Sequence, residues 1–485
     1  MVENITLYDQ IEKDAEGTSA AYVFALIVPN LLTMLLTFLL NLHSRVPGTV
    51  SRFLTEFIVL FYTIVFNVTI LSDFIVEVLC LLVLLTVPLV LVNLHKCAVA
   101  HDTQCGSSGH DDRLLDCKGT FRGIHSITSN LEIPAQQPGY VTVIRSMIFL
   151  VTAVCILAVD FKIFPGYSFK TETYGCSLMD VGIGLFVCST AIVAKKPPAG
   201  YFRSRRNLFR LFVGISPYIV LGVGRALVIE QLDYHQGVTE YGKNWNAFLT
   251  LGATKLFATL LAGTVPREQH LLYVAVLILG LHEAGLQYKV AGYVMSPTIP
   301  RDNFLAANRE GIVSIPGFVG LYLSVMYIGT LISSASKTIT AKEFLRKASV
   351  FALMSASLWP MCLQVNAMFA ISRRICNLGY VVWILAILVS LIVFSMLIEL
   401  FCTILCHCKA KDRSESYVPL IMRSINYNGL FFFLLANVLT GMVNMTIATS
   451  KTDTLHSLWI LMIYMLINCL VVTILYKIQI KIKFW

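Results

Sequence analysis

An all-α bundle of about thirteen transmembrane helices is predicted by three properties of the sequence. Hydrophobic residues make up 56% of the 485 positions and charged residues only 13%, too little charge to cover the surface of a soluble chain of this length. Apolar runs of roughly 18 to 24 residues recur from end to end, each long enough to cross about 30 Å of hydrocarbon. No polar domain interrupts them, so residues 1–485 read as one membrane-embedded unit.

The runs predict helices over 21–42, 53–71, 74–94, 141–159, 178–194, 208–229, 245–264, 271–289, 313–335, 348–367, 380–404, 430–447 and 455–475. An odd number of crossings places the two termini on opposite sides. Alternate loops collect the basic residues: Arg45 and Arg52; Lys195, Lys196, Arg203, Arg205 and Arg206; Lys337, Lys342, Arg346 and Lys347; Lys477, Lys481 and Lys483. The positive-inside bias makes that side cytosolic. The N-terminus then falls in the lumen, together with the glycosylation sequon Asn4-Ile5-Thr6. The same bias accounts for the net charge of +9 with no nucleic-acid partner. The polar, acidic first twenty residues do not form a signal peptide, so the first apolar run is expected to act as an uncleaved anchor. The longest hydrophilic stretch, near 95–140, contains Gly106-Ser107-Ser108-Gly109 and reads as a mobile cytosolic loop.

Several chemistries are excluded. The thirteen cysteines lie mostly inside apolar runs, as Cys80, Cys155, Cys188 and Cys469 do, where they act as small hydrophobes. Cys406-His407-Cys408 lacks the paired spacing of a zinc site, and no metal is expected. Gly-rich phosphate loops, HExxH and GxSxG are absent, which removes ATP-driven chemistry and the commonest hydrolase designs. No cofactor is expected.

Polar groups at membrane depth are expensive, so they mark the positions where function lies. The strongest group follows the fourth run, from Asp160 to Gly175. Pro165 and Gly166 stop the helix and turn the chain, and aromatic residues alternate with charges. Such a segment folds back against helix ends and lines a cavity, where irregular backbone is tolerated. Asp160 and Lys170 are expected to face each other, as an interfacial ion pair or as a base with a cationic partner. Ser177 and Asp180 read as a capping box. Further polar segments are Glu240 to Asn246, with Trp245 as a belt residue, and Asn308-Arg309-Glu310, where Arg309 could cap a helix or hold a lipid phosphate. Asn437 and Asn444 are expected to bond a neighbouring helix. His282 and Glu283 read as a helix–helix hydrogen bond, or as the base of another kind of membrane acyltransferase.

Four blocks carry a resemblance: Ile156 to Val187, Glu240 to Leu251 (EYGKNWNAFLTL), Ala307 to Leu323 (ANREGIVSIPGFVGLYL) and Leu434 to Thr446 (LLANVLTGMVNMT). In this order they resemble the PIG-W family, inositol acyltransferases of glycosylphosphatidylinositol (GPI) anchor biosynthesis. The resemblance implies a multi-pass enzyme of the endoplasmic reticulum membrane. It implies transfer of a fatty acyl group, typically palmitoyl, from acyl-CoA to the inositol ring of glucosaminyl-phosphatidylinositol. Asp160 and Lys170 match the family's proposed catalytic pair. The blocks also place Lys162, Glu172, Tyr174, Tyr241, Trp245, Asn246, Asn308, Arg309, Glu310, Asn437 and Asn444 at the substrate site. The sequence departs from the family at Asn244, where a His is common, and at Gly166 to Phe169, where arginines are frequent. The basic loop Lys195 to Arg206 reads as an orientation signal alone, or as the collector of the acyl-CoA phosphates from the cytosolic side. The rival readings are a lipid or solute transporter, a flippase, or a non-catalytic subunit of a lipid-modifying complex.

Overall fold

The computed structural model describes residues 17–43, 49–104, 131–136, 138–231, 238–408 and 417–482. Helices dominate: α1 (Ala20–Leu42), α2 (Thr49–Val68), α3 (Ile75–Gln104), α4 (Gly139–Ala158), α5 (Val181–Ala191), α6 (Arg205–Gln231), α7 (Ala247–Ala262), α8 (His270–Met295), α9 (Arg309–Ile332), α10 (Ala341–Phe369), α11 (Leu378–Cys408), α12 (Gly429–Thr446) and α13 (Thr454–Lys477). Each predicted run is found. Eleven of these helices are long and apolar enough to cross a membrane, whereas α5 and α7 have 11 and 16 residues. Among the described residues the bundle thus has eleven helices of full membrane length and two shorter apolar ones, at the places of the thirteen expected. At 1.5 Å per residue α5 covers about 16 Å, half the hydrocarbon depth. It can be short because protein encloses it: nine of its residues are buried.

Helices α1, α4, α9 and α11 are the most enclosed and form the centre, while α3, α10 and α12 lie outside. The outer helices carry exposed apolar side chains such as Leu84, Leu353 and Met445, the face that lipid covers. Trp383 and Tyr380 on α11 are fully buried, and Trp383 Nε1 donates to Ala20 O across to α1 at 3.2 Å.

The loops sort into two ends. At one, Thr18 N donates to Cys176 O (2.6 Å), Tyr167 Oη to Asp73 Oδ1 (2.5 Å), Gly175 N to Ile371 O (2.8 Å) and Lys243 N to Ala307 O (3.0 Å). At the other, β1 (Glu132–Pro134) pairs antiparallel with β2 (Thr338–Thr340), Asn428 Nδ2 donates to Ile480 O (3.0 Å), and Lys477 Nζ to Thr49 Oγ1 (3.4 Å). The loops assigned to opposite sides from their charge are gathered at opposite ends. The stretch 95–140 is corrected: α3 continues to Gln104 and residues 132–134 form β1. Residues 105–130, Asn4, Arg45 and Lys483 lie outside the described residues.

Candidate active site

The site is built where α4 ends. Helical bonding stops at Ala158, Asp160 N and Phe161 N close tight turns onto Leu157 O and Ala158 O, and Pro165 breaks the path before a 3-10 turn at Gly166–Ser168. Phe164 and Phe169 lock the returning chain edge to face, 5.4 Å between ring centres. The segment folds back against the helix ends, as its composition predicts. Asp160 is thereby half-buried, and its Oδ2 accepts a 2.8 Å hydrogen bond from Asn444 Nδ2 on α12. Burial pushes the Asp160 carboxyl up to about 6; the Asn444 bond and the Lys170 charge hold it from going higher.

Lys170 does not form an ion pair with Asp160. Its ammonium lies 2.9 Å from Glu240 Oε1, and Asp160 feels its charge only from a distance. The face-to-face pair expected from the sequence is therefore corrected. The reason is that Glu240, carried on the short helix Val238–Tyr241, reaches the cation first. Glu240 has a second cation, Arg373 Nη1 at 3.6 Å. Burial raises the Glu240 carboxyl, but the Lys170 and Arg373 charges overcome it and bring it down to about 2. Arg373 in turn sits 2.8 Å from Asp180 and over the Tyr241 ring at 5.8 Å. Asp180 and Glu240 hold the Arg373 guanidinium well above its ordinary range despite its burial. Asp180 also accepts from Thr171 Oγ1 (2.8 Å) and Ser177 Oγ (2.9 Å), while its N–H donates to Ser177 Oγ (3.2 Å). Half of the expected Ser177–Asp180 capping box is present, Asp180 N to Ser177 Oγ, while the carboxylate serves Thr171, Ser177 Oγ and Arg373 rather than Ser177 N. Asp180, Arg373, Glu240 and Lys170 form one charge chain whose exposed end is the lysine.

A second cluster adjoins it. Glu310, fully buried at the start of α9, accepts from Arg301 Nη2 (2.5 Å), Arg301 Nη1 (3.0 Å) and Arg374 Nη2 (2.9 Å). Arg309 is only 2% exposed. Its guanidinium donates to Ser296 O (2.5 Å) and Ile299 O (3.2 Å) and lies over Tyr293. The phosphate contact expected of it is filled by backbone carbonyls.

The other predicted site residues divide by environment. Asn246 caps α7, accepting from Phe248 N (3.1 Å) and Leu249 N (3.2 Å), and donates to Gly222 O (2.7 Å). Asn308 accepts from Asn244 N (2.8 Å) and donates to Phe304 O (2.9 Å). Trp245 donates to Thr250 Oγ1 (2.9 Å), and its ring covers Gly311 so closely that a Cβ there would stand 2.3 Å from it. Gly242, at φ +118°, brings its turn against Asn308 in a backbone conformation that L side chains rarely adopt. These residues press the Glu240 segment onto α9. Lys162, Glu172 and Tyr174 are exposed on the returning segment. Asn437 is corrected: its Nδ2 donates to Phe433 O (2.7 Å) of its own helix rather than to a neighbouring one. Glu283 makes the expected interhelical bond, from Leu378 N (2.8 Å) on α11, whereas His282 bonds Ile375 O (3.0 Å) in the loop before that helix.

Sequence reasoning missed Arg301, Arg373 and Arg374 and gave Glu240 no role. A signal for the arginines exists. Arg373-Arg374 is a basic pair on the side of the membrane that the positive-inside bias leaves poor in charge. A pair kept there against the bias has a specific partner.

Chemically, the site presents a carboxylate poised near neutral pH, an amide on its oxygen, and a lysine held ionically beside it. That set can take a proton from a hydroxyl and stabilise a developing oxyanion. Comparisons with known proteins show the family. The chain is similar over 480 residues to the glucosaminyl-phosphatidylinositol-acyltransferase PIGW of Bos taurus, at 30% identity, covering 92% of this chain and 91% of the relative. It is 29% identical to the human protein of that name, over 93% of this chain and 92% of the relative. It is 33% identical to the GPI-anchored wall transfer protein 1 of Gibberella zeae, over 70% and 72% respectively. The GWT1 family model matches residues 8–475, nearly the whole length, and the chain belongs to the GWT1 family.

Proposed function

We propose that this protein is an inositol acyltransferase of GPI-anchor biosynthesis, moving a fatty acyl group from acyl-CoA to an inositol hydroxyl of glucosaminyl-phosphatidylinositol. The observation that carries the reading is Asp160. It is a half-buried carboxylate with its pKa raised to about 6, facing Asn444 and within the field of Lys170, in a chain of this family.

The thioester is already activated, so no covalent enzyme intermediate is needed. Asp160 takes the proton of the inositol hydroxyl as its oxygen attacks the thioester carbonyl. Lys170 faces the oxyanion of the tetrahedral intermediate. The intermediate collapses, the C–S bond breaks, and the proton on Asp160 passes to the departing thiolate, which restores the carboxylate. A pKa near 6 suits both steps, since the group is ionised at pH 7 yet basic enough to accept a proton. Glu240, strongly ionised, keeps Lys170 in place, and Asp180 and Arg373 keep Glu240 in place.

The poorly basic end that carries Asp160 is assigned to the lumen of the endoplasmic reticulum and the basic end, with the C-terminus, to the cytosol, in accord with the positive-inside bias. The test is purified protein with palmitoyl-CoA and glucosaminyl-phosphatidylinositol, followed by mass analysis of the lipid. A mass increase of one acyl group is expected. Lipid or acyl-CoA moved across vesicles without any acylated product would make the protein a transporter instead.

A further inference from the structure

A second polar cluster lies at the opposite end of α4, inside the membrane-spanning region and away from Asp160. Arg145 on α4 is half-buried. Its Nε donates to Ser189 O on α5 (2.9 Å) and its Nη1 to Asn426 Oδ1 on the short helix Leu420–Tyr427 (2.6 Å). A guanidinium has five N–H donors, so three remain, and among the described residues they have no acceptor and no carboxylate partner. The sequence explains the missing carboxylate. Helices α4, α5, α7, α12 and Leu420–Tyr427 contain no Asp or Glu, and α6 contains only Glu230, far along the helix from Tyr218. Tyr218 on α6 lies within the field of Arg145. A second half-buried cation, Lys255 on α7, stands over the same ring at 5.3 Å and donates to Gly214 O (2.9 Å). Arg145 and Lys255 thus both act on Tyr218. A guanidinium at membrane depth held by two neutral acceptors is a costly arrangement unless an anion comes to meet it.

The cluster connects to the catalytic end. Asn426 precedes α12, whose Phe433, Asn437 and Asn444 share one helix face through their spacing. Phe433 packs against Phe186 of α5 (4.6 Å between centres) and Phe248 of α7 (5.8 Å), and Asn444 bonds Asp160. A strip of α12 bearing Phe433 and Asn437 thus lies between Asn426, the partner of Arg145, and Asn444, the partner of Asp160. Arg145 and the end of α4 at Ala158 are thirteen positions apart, about 20 Å of helix, a distance comparable to an extended pantetheine arm.

We propose that Arg145, with Lys255 beside it, is a phosphate-binding site, and that it takes the phosphates at the nucleotide end of the acyl donor while the pantetheine follows the α12 strip to Asp160. The assignment to the donor rests on the acyl-CoA reading above; the phosphate chemistry of the site is shared with phospholipid headgroups.

The test measures binding to purified protein of three probes: a thioether analogue of palmitoyl-CoA, the matching palmitoyl-pantetheine thioether that lacks the nucleotide phosphates, and phosphatidylinositol in nanodiscs. Arg145→Gln should weaken the CoA analogue roughly tenfold to a hundredfold, the range for losing a charge-assisted hydrogen bond, and leave the pantetheine analogue unchanged. Lys255→Gln should weaken it less, again through the phosphates alone. An unchanged affinity for the CoA analogue in a folded Arg145→Gln protein overturns the site while leaving the acyl-CoA reading intact. Wild-type protein that ignores the CoA analogue but binds phosphatidylinositol through Arg145 keeps the phosphate site and overturns the acyl-CoA reading. Where Arg145→Gln does not fold, a structure of the wild type with the CoA analogue decides. Phosphate within hydrogen-bond reach of Arg145 supports the proposal, and phosphate at Arg203, Arg205 and Arg206 overturns it.

Discussion

The two ends of the bundle both bury carboxylates, and they satisfy them in different ways. At the basic end, Glu399 accepts from Tyr140 N (2.7 Å) and Gly139 N (3.4 Å) at the start of α4, and from Tyr417 Oη (3.0 Å). Glu56 accepts from Ile421 N (3.0 Å) at the start of the Leu420–Tyr427 helix and from Arg52 Nε (2.9 Å). Each carboxylate there sits on the exposed N–H groups of another helix's first turn, where the helix dipole favours it. At the Asp160 end Glu283 also takes a helix start, accepting from Leu378 N (2.8 Å) on α11, but the other buried carboxylates take side-chain cations: Arg373 for Asp180, Lys170 and Arg373 for Glu240, Arg301 and Arg374 for Glu310. Asp160 has neither a helix start nor an ion pair, and takes one amide hydrogen bond. These buried carboxylates that build the fold are matched; Asp160, with one neutral partner, is free to exchange a proton.

That contrast is breakable by mutation. Asp160→Asn should cost the most, about a hundredfold to ten-thousandfold in single-turnover acyl transfer, the usual worth of a general base. Its thermal stability should be equal or higher at pH 7. The sign follows from the raised pKa. The folded state holds this proton more tightly than the unfolded chain, so stability falls as pH rises from the ordinary carboxylate value of 3.8 to about 6, and the amide removes that loss. Lys170→Met should come next, about a hundredfold in rate, the order of magnitude for removing one oxyanion-stabilising group. Glu240→Gln should slow transfer about tenfold, because Lys170 stays present but loses its anchor; an effect as large as that of Asp160→Asn would move the base to Glu240. Glu399→Ala should leave the rate per folded molecule unchanged and lower stability by about 1–3 kcal/mol, the cost of stranding buried donors. A selective loss of rate in that variant would erase the distinction between the two ends.

The architecture was legible in the sequence because each helix is an apolar run set off by charge or proline, and the sorting of loops by basic residues agrees with the two ends of the bundle. Two limits have physical causes. Hydropathy measures length and polarity, not enclosure, so it could not show that α5 is half a span wrapped in protein. Polarity also finds the glycine- and serine-rich stretch after α3 but not the helical turns that run on to Gln104. In the site, Asp160 stood out because a charge followed an apolar run and a Pro-Gly turn followed the charge. Its partners did not. Asn444 and Glu240 come from segments some 284 and 80 positions away in the chain, brought in by packing that no local pattern encodes. Arg309 misled for a related reason: its sequence context advertises a cation at a helix start, while only the fold reveals the carbonyls of Ser296 and Ile299 waiting for it.

The central claim, that Asp160 is the proton acceptor, is tested most directly by the pH dependence of single-turnover acyl transfer from palmitoyl-CoA to glucosaminyl-phosphatidylinositol, with both substrates saturating, in wild type and in Asp160→Asn. The account predicts a wild-type rate that rises tenfold per pH unit below about pH 6 and levels off above it, and a slow Asp160→Asn rate in which that limb is gone. A wild-type rate that is flat across this range, or an Asp160→Asn protein that retains both the limb and the rate, would contradict it.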